Sequence, residues 1–133
     1  MKIAGMSFFQ LASQKMQWLA ARQVVISENI ANADTPDYKA KEVASFQSME
    51  QAARRPDTNL RRTHDDHIGG APRDHNVIVD GDSAAWEASI DGNTVSLEQQ
   101  TIKAAEVGES YRMAAQLYRK GHDLLSLAVT GIR

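Results

Sequence analysis

Apolar positions along the chain fall into two long periodic stretches separated by a polar, turn-rich middle. In the first, Phe9, Ala12, Met16, Leu19, Gln23, Ile26, Ile30 and Ala33 recur in alternating steps of three and four residues. That spacing puts one stripe on one face of an α-helix, with Gln23 its single polar interruption and Val24 and Val25 widening it. Ser7 with Gln10 three positions on reads as a capping box, and Met6 with Leu11 as the flanking hydrophobic staple. The pattern predicts a helix from Phe8 to Asn32, roughly 37 Å long at about 1.5 Å per residue. It should stop there because Thr35 precedes Pro36 and is pushed toward an extended conformation.

The second stretch begins after Asp91-Gly92-Asn93, a turn signal. Ser96 with Gln99 makes another capping box, Thr94 is a competing cap, and Glu98 lies in the first turn, where it favours the helix dipole. Leu97, Ala104, Tyr111, Tyr118, Leu125 and Ile132 then recur every seven residues, with Gln100, Val107, Ala114, Gly121 and Ala128 in the second seam position. A heptad sustained this long favours a coiled-coil-like partner. The predicted helix, Leu97 to Val129, would span roughly 50 Å. Gly108 and Gly121 each cost about 1 kcal/mol against alanine inside a helix. Gly121, lying in the seam, is where a closely approaching helix would require a glycine.

The middle is harder to read. Val43 and Phe46 are isolated apolar anchors, and Met49 to Ala53 suits a short helical turn. Between 54 and 85 the plausible buried points are Leu60, Ile68 and the Val77-Ile78-Val79 run, the last as a short strand or a tether. Gly69-Gly70-Ala71-Pro72 is loop, and weak order is expected across 54–85. The fold class is mainly α: long N- and C-terminal helices in a coiled-coil-like antiparallel pair, joined by an irregular, partly disordered middle segment. One domain covers 1–133, with the N-terminal helix in 1–33, the turn and flexible middle in 34–93 and the C-terminal helix in 94–133. Two such helices carry more apolar surface than a polar middle can cover, and the surplus points to assembly.

Composition narrows the functions. The 15 basic and 17 acidic residues give a net charge of -2, no electrostatic reason to expect nucleic acid or a polybasic membrane contact. With no cysteine, disulfides and cysteine-ligated zinc are excluded. No apolar run is long enough to span a membrane. The start of the chain lacks a basic stretch followed by a continuous apolar run, so no cleaved secretory signal is expected, and work outside the cytosol would need another export route.

Candidate chemistry is sparse. His64, Asp65, Asp66 and His67, with Asp74 and His75, resemble a metal cluster, but zinc needs three or four convergent ligands on a rigid frame and these fall in an expected loop. Asp80-Gly81-Asp82-Ser83 lacks the spacing of a calcium loop, since Glu87 comes too early. Arg54-Arg55 and Arg61-Arg62 are offset by nearby aspartates and have no interleaved aromatics. His122 reads as surface or interhelical packing. No nucleophile elbow, phosphate-binding glycine loop or placed carboxylate pair is present. No catalytic, cofactor-binding or metal residue is assigned, and no enzyme is expected.

Two motifs remain. Asn29, Ala31, Asn32, Thr35, Pro36 and Tyr38, in NIANADTPDY, resemble the N-terminal signature of bacterial flagellar rod, hook and hook-associated proteins, usually A-N-x-x-T-P-G-Y. Asp91, Gly92, Asn93, Val95, Leu97 and Glu98 resemble a second signature carried by a proximal rod member, continued by Lys103 to Glu106 and Tyr111. Asp37 stands where glycine is usual, and Gln100 where glutamate is frequent. The resemblance implies a structural subunit of the basal-body rod, which crosses the periplasm and transmits motor torque. It implies export through the flagellar type III apparatus without a cleaved signal, and a place at the rod base. The implied partners are other rod subunits, further copies of itself, the adaptor FliE, the membrane ring protein FliF and the export apparatus. The assembly stripe would then be Phe9, Met16, Leu19, Ile26 and Ile30 on one helix, with Leu97, Ala104, Tyr111, Tyr118, Leu125 and Ile132 on the other. A cytoplasmic helical adaptor or flagellar export chaperone is the alternative. It would share the amphipathic helices but would not need the NIANADTPxY turn beside a helix end.

Overall fold

A computed structural model describes residues 2–54, 78–86 and 88–131. The elements in chain order are α1 (Lys2–Ala31), β1 (Lys41–Val43), α2 (Phe46–Arg54), β2 (Val79–Gly81) and α3 (Leu97–Thr130). The fold is mainly helical, and α1 and α3 pack against each other in opposite directions. The Phe9 ring meets Tyr118 at one end of the pair, 5.1 Å between centroids, while Asn29 bonds Gln100 at the other, 3.2 Å. β1 and β2 form an antiparallel ribbon with Lys41 opposite Gly81 and Val43 opposite Val79.

The core is Trp18, Leu19, Val25, Ile26, Val43 and Val107, with Phe46, Met49 and Ala104 packed against it. It sits where β1 and α2 lie over the helix pair, toward the end where α1 stops and α3 starts. Trp18 donates its indole N–H to the Ala44 carbonyl at 2.8 Å and meets Phe46 edge-on. The Lys15 ammonium lies 4.4 Å from the Trp18 ring centre, which adds a cation–π attraction to the apolar packing.

Both long helices end within a residue of their expected C-terminal limits, and α3 starts at Leu97 as its cap predicts. Ser96 is that cap: its hydroxyl accepts from the Gln99 N–H, and Gly131 in the left-handed conformation closes the other end by donating to Leu127. The start of α1 differs from expectation. The helix runs through Ser7 to begin at Lys2, so the capping box and staple at Met6, Ser7, Gln10 and Leu11 do not start it. A cap is worth about 1 kcal/mol, and carrying the helix back through Ser7 to Lys2 gains further backbone hydrogen bonds. The buried arc of α1 is also rotated from the expected stripe. Leu19 and Ile26 are fully buried, but Trp18, Val25 and Asn29 join them, while Gln23, Val24 and Ile30 are exposed. The cause is a second covering layer: β1 packs on α1 beside α3 and draws the buried arc toward itself.

In the middle, Val43 is buried and Phe46 packs against the core as anchors should. The helical turn at Met49 to Ala53 belongs to the longer α2. Ile78 and Val79 are exposed, contrary to their reading as buried points, because the ribbon rests on α1 through β1 and leaves β2 outside. Leu60, Ile68, Val77, the 69–72 loop, the histidines at 64, 67 and 75 with Asp65, Asp66 and Asp74, both arginine pairs except the Arg54 backbone, and Ile132 lie outside the described residues. So does most of the 54–85 stretch where weak order is expected.

The two helix glycines differ. A Cβ at Gly121 would lie 2.9 Å from the Phe8 ring and 3.4 Å from that of Phe9, whereas at Gly108 it would meet nothing within 4 Å. Gly108→Ala should therefore raise stability by about 0.5–1 kcal/mol through helix propensity alone. Gly121→Ala should come out at or below wild type, because the ring contact consumes the same gain. Urea denaturation midpoints of the two variants check the pair, and equal stabilisation by both would show that no close approach exists at Gly121.

Candidate functional site

An α-helix leaves its last carbonyls without intrahelical donors. At the end of α1, Asn32 N–H is shared between the Glu28 and Asn29 carbonyls at 3.1 Å each, and Thr35 N–H returns to the Asn32 carbonyl at 3.1 Å. Asp37 follows Pro36 in the left-handed region, φ 59°, which aspartate tolerates better than most residues. The chain then runs beside the turn that precedes α3. Asp37 N–H donates to the Asp91 carbonyl at 2.9 Å, and Thr94 N–H to the Tyr38 carbonyl at 3.1 Å. Ala40 N–H donates to the Thr94 hydroxyl at 2.8 Å, so Thr94 serves this crossing and does not cap α3. Lys39 reaches the Gly92 carbonyl at 2.6 Å. The two motifs, distant in sequence, thus form one junction.

Two buried asparagines hold it. The Asn93 carboxamide nitrogen donates to the carbonyls of Asn32 (2.9 Å), Ala33 and Thr35 (both 2.8 Å), sharing two hydrogens among three acceptors. Its oxygen accepts from Val95 N–H at 2.8 Å. Asn93 therefore gathers the carbonyls of the turn that follows α1 from across the fold. Asn29, fully buried, accepts from Lys41 N–H at 2.9 Å and from the Tyr38 hydroxyl at 3.4 Å. It donates to the Lys41 carbonyl at 2.8 Å and to Gln100 Oε1. One side chain thus joins α1 to β1, α3 and the Tyr38 ring. Burial, then the nearby Glu28 carboxylate, pushes the Tyr38 hydroxyl above its ordinary pKa, against the opposing Lys41 charge, so it stays a donor. Gln100 Nε2 has no partner among the described residues.

Beside the junction runs a ladder of alternating charges. Arg22 on α1 meets Glu42 on β1 at 2.9 Å. Lys103 on α3 meets Glu42 at 2.9 Å and the carboxylate of Asp82 at 2.6 Å. The ladder ties together α1, β1, α3 and the residue after β2. Burial pushes the Glu42 carboxyl up, but hydrogen bonds from Arg22 and Lys103 outweigh it and leave the pKa below the ordinary value. Burial pulls Lys103 down, while Asp82 and Glu42 more than reverse this and leave it raised.

Of the residues singled out in the motifs, Asn29, Asn32, Thr35, Tyr38, Asp91, Gly92 and Asn93 converge here. Ala31 and Pro36 are exposed, and Val95 enters only through its backbone. Leu97 is half-exposed, and Glu98 accepts from the Ser96 hydroxyl. Gln99 does not close the capping box with its side chain, which donates to the Ala84 carbonyl instead. On the assembly stripe, Leu19 and Ile26 are buried, and Phe9, Met16 and Ala104 are intermediate. Ile30, Leu97, Tyr111, Tyr118 and Leu125 are exposed. The second seam, Gln100, Val107, Ala114 and Gly121, is the line that lies under α1, and Ala128 beyond it is exposed. Sequence reasoning missed Trp18 and the charge ladder. No local spacing marks the ladder, because its members come from four separate segments.

Residues 10–39 match the sequence profile described as flagella basal body rod protein. The chain is 32% identical to the flagellar basal body rod protein FlgB of Agrobacterium fabrum over 123 residues, 91% of each chain. It is 27% identical to that of Bacillus subtilis, over 95% of this chain and 98% of the relative. With the Escherichia coli protein of the same description it shares 28% identity, over 71% and 72% of the two chains. The chain belongs to the flagellar basal body rod protein family, within the FlgB group.

Asn93→Ala should destabilise by about 1–3 kcal/mol, because it removes the donor that the carbonyls of Asn32, Ala33 and Thr35 share in the turn after α1. Asn93→Asp should be at least as damaging, since a carboxylate offers those carbonyls no donor. Urea denaturation checks both, and a loss below 1 kcal/mol in either would mean water serves as well as the carboxamide, given the usual cost of about 1–3 kcal/mol.

The ladder sets a pH window. Glu42, with its pKa depressed by folding, contributes stability above its unfolded value of about 4.3 and loses it as pH falls through the folded value. Lys103, raised, contributes below about 10.4 and loses it as pH climbs through its folded value. Glu42→Gln should lower the melting temperature at pH 7 and flatten its acid dependence below about pH 4.5. Superimposable acid limbs of the two pH–melting curves would remove the ladder from the stability of the fold.

Proposed function

We propose that this chain is a structural subunit of the flagellar basal body rod, built in by helix packing and helping to transmit motor torque. The observation that carries the reading is the junction itself. Motifs at the end of α1 and before α3 close on each other through Asn29 and Asn93, fixing a helix pair that leaves Tyr111, Leu117, Leu124 and Leu125 uncovered. Torque requires stiffness, and long helices clamped at one end supply it better than loops. Apolar rows left outside such a pair suit contacts that repeat from subunit to subunit without closing. The role needs no catalytic step.

The same reading takes the chain out of the cytoplasm through the flagellar export apparatus without a cleaved signal and places it in the periplasmic rod. Its neighbours there are other rod subunits and further copies of itself, with the adaptor FliE and the membrane ring protein FliF at the rod base. Among the described residues no helix is long and apolar enough to cross a membrane.

Leu125 separates folding from assembly. It is 49% exposed in the lone chain, so Leu125→Ala should cost the free subunit at most about 1.5 kcal/mol. A leucine buried at a subunit contact costs about 2–5 kcal/mol on truncation, repeated at every copy. The variant should therefore be exported normally yet be depleted from purified basal bodies and impair motility, while Glu109→Ala, also exposed, should assemble as wild type. Normal incorporation of Leu125→Ala would take that residue out of the assembly contact. Absence of the wild-type chain from basal bodies would overturn the rod reading.

A further inference from the structure

The sequence contains two Asp-Gly pairs, Asp80-Gly81 and Asp91-Gly92. At such a pair the backbone nitrogen of the glycine can attack the carboxyl carbon of the aspartate, because glycine has no Cβ to hinder the approach. The surroundings in sequence are alike: a β-branched residue, Val79 or Ile90, precedes each pair, and Asp82 or Asn93 follows. The fold treats the two pairs differently. At Asp91 every group that the reaction must move is held. The Asp91 carbonyl accepts from Asp37 N–H at 2.9 Å, and Gly92 N–H is given to the Ser89 carbonyl at 2.9 Å. The Asp91 carboxylate accepts from Asn93 N–H at 3.2 Å. Nitrogen and carboxyl group there are turned to different partners.

At Asp80 they are turned to each other. Gly81 N–H donates to Oδ1 of Asp80 itself at 2.8 Å, which brings the nitrogen beside the carboxyl carbon. In the ribbon, Ala44 N–H bonds the Ile78 carbonyl and Asp82 N–H the Ala40 carbonyl. The alternation of an antiparallel ladder therefore aims the backbone groups of Val79 and Gly81 away from β1. Asp80 and Gly81 are both exposed, and a Cβ at Gly81 would meet nothing within 4 Å. Ring closure must turn the Asp80 carbonyl away from Glu42, its partner across the ladder. β2 is three residues long, so few bonds resist that turn.

We propose that Asp80 is a site of spontaneous isoaspartate formation, and that the junction protects Asp91 from the same reaction. The Gly81 nitrogen bonds to Cγ of the protonated Asp80 carboxyl, the amide proton and the carboxyl hydroxyl leave as water, and a five-membered succinimide closes. Water then adds to one of its two carbonyl carbons and breaks that carbon's bond to nitrogen. Opening at Cγ restores aspartate, and opening at the backbone carbonyl carbon gives isoaspartate, with no net change of mass. The main chain then runs through Cβ and Cγ and is one atom longer. Val79 keeps its place opposite Val43, while Gly81 and Asp82 slip against Lys41 and Ala40. The Asp82 carboxylate, buried against Lys103, is drawn out of the charge ladder, so the modification frees the ribbon from α3. It does not depend on the rod reading.

The two pairs serve as controls for each other. The purified full chain is kept warm in mildly acidic buffer for several weeks, folded or in concentrated urea, and isoaspartate at each pair is measured by peptide mapping. In the folded chain the product at Asp80 should exceed that at Asp91 several-fold, and in urea the two should form at similar rates. Gly81→Ala should keep the wild-type urea midpoint, since the added Cβ has open space, and cut the product at 80 several-fold. The isoaspartyl fraction, separated by chromatography, should unfold at lower urea than fresh chain. Lys103→Ala should lower the midpoint of fresh chain and leave that of the isoaspartyl fraction unchanged. Equal product at the two pairs in the folded chain, an excess at Asp91, or the same ratio folded and in urea would each overturn the site. An isoaspartyl fraction as stable as fresh chain would overturn the release of the ladder.

Discussion

The fold depends on how the carbonyls of the turn that follows α1 are satisfied. A turn packed against the body of a protein must find donors for its carbonyls, or lose roughly 1–3 kcal/mol for each buried group left unpaired. Here the donor is Asn93, which comes from the far side of the chain and reaches three carbonyls at once. Because one side chain serves them all, the path from Asn32 to Tyr38 and the turn from Asp91 to Val95 can only be correct together. Pro36 fits this arrangement, since a residue without an N–H demands no acceptor in so crowded a turn. Asn29 repeats the device one helical turn back, binding both backbone groups of Lys41. Each asparagine replaces several contacts that sheets or longer loops would otherwise supply.

From this junction the packing grades along the helix pair. At the clamped end the pair is covered by β1 and α2, the core cluster lies beneath, and the ladder from Arg22 to Asp82 joins four segments. At the other end the described contacts are rings on a glycine: Phe8 and Phe9 over Gly121, with Phe9 against Tyr118. Leu124, Leu125 and Val129 there remain in water. One end is therefore a finished piece of protein, and the other keeps its apolar surface uncovered. That asymmetry suits a subunit whose stability is completed by neighbours.

Much of the fold was legible in the sequence because its signals are local. Ser96, the turn before it and the heptad after it placed α3 to within a residue, and Thr35-Pro36 placed the end of α1. The start of α1 was misread because a capping box marks where a helix can begin, not where it must. The buried face of α1 was read a fraction of a turn away, since periodicity gives one stripe and cannot report a second layer such as β1. The ladder and the Trp18 bond to Ala44 were not legible at all. Their partners lie 20 or more residues apart, and charged residues at such separations carry no spacing rule. The motif residues were visible as a pattern, but their convergence on two asparagines was not, because capping from a distant segment leaves no local trace.

Asp37 shows how far the junction constrains its own sequence. Its backbone sits at φ 59° and faces Gly92 at φ 81°, so two left-handed residues are pressed together where the motifs meet. The demands on them are unequal. A Cβ at Gly92 would strike the Asp37 carboxylate, and the left-handed conformation would strain it as well, so position 92 needs glycine twice over. Asp37 needs only to tolerate the conformation, which costs a non-glycine residue roughly 1–2 kcal/mol and aspartate less. Its N–H is already spent on Asp91. The crossing therefore allows a side chain at position 37 but not at position 92. An aspartate in place of the usual glycine at 37 is compatible with the junction because Gly92 leaves the space for it.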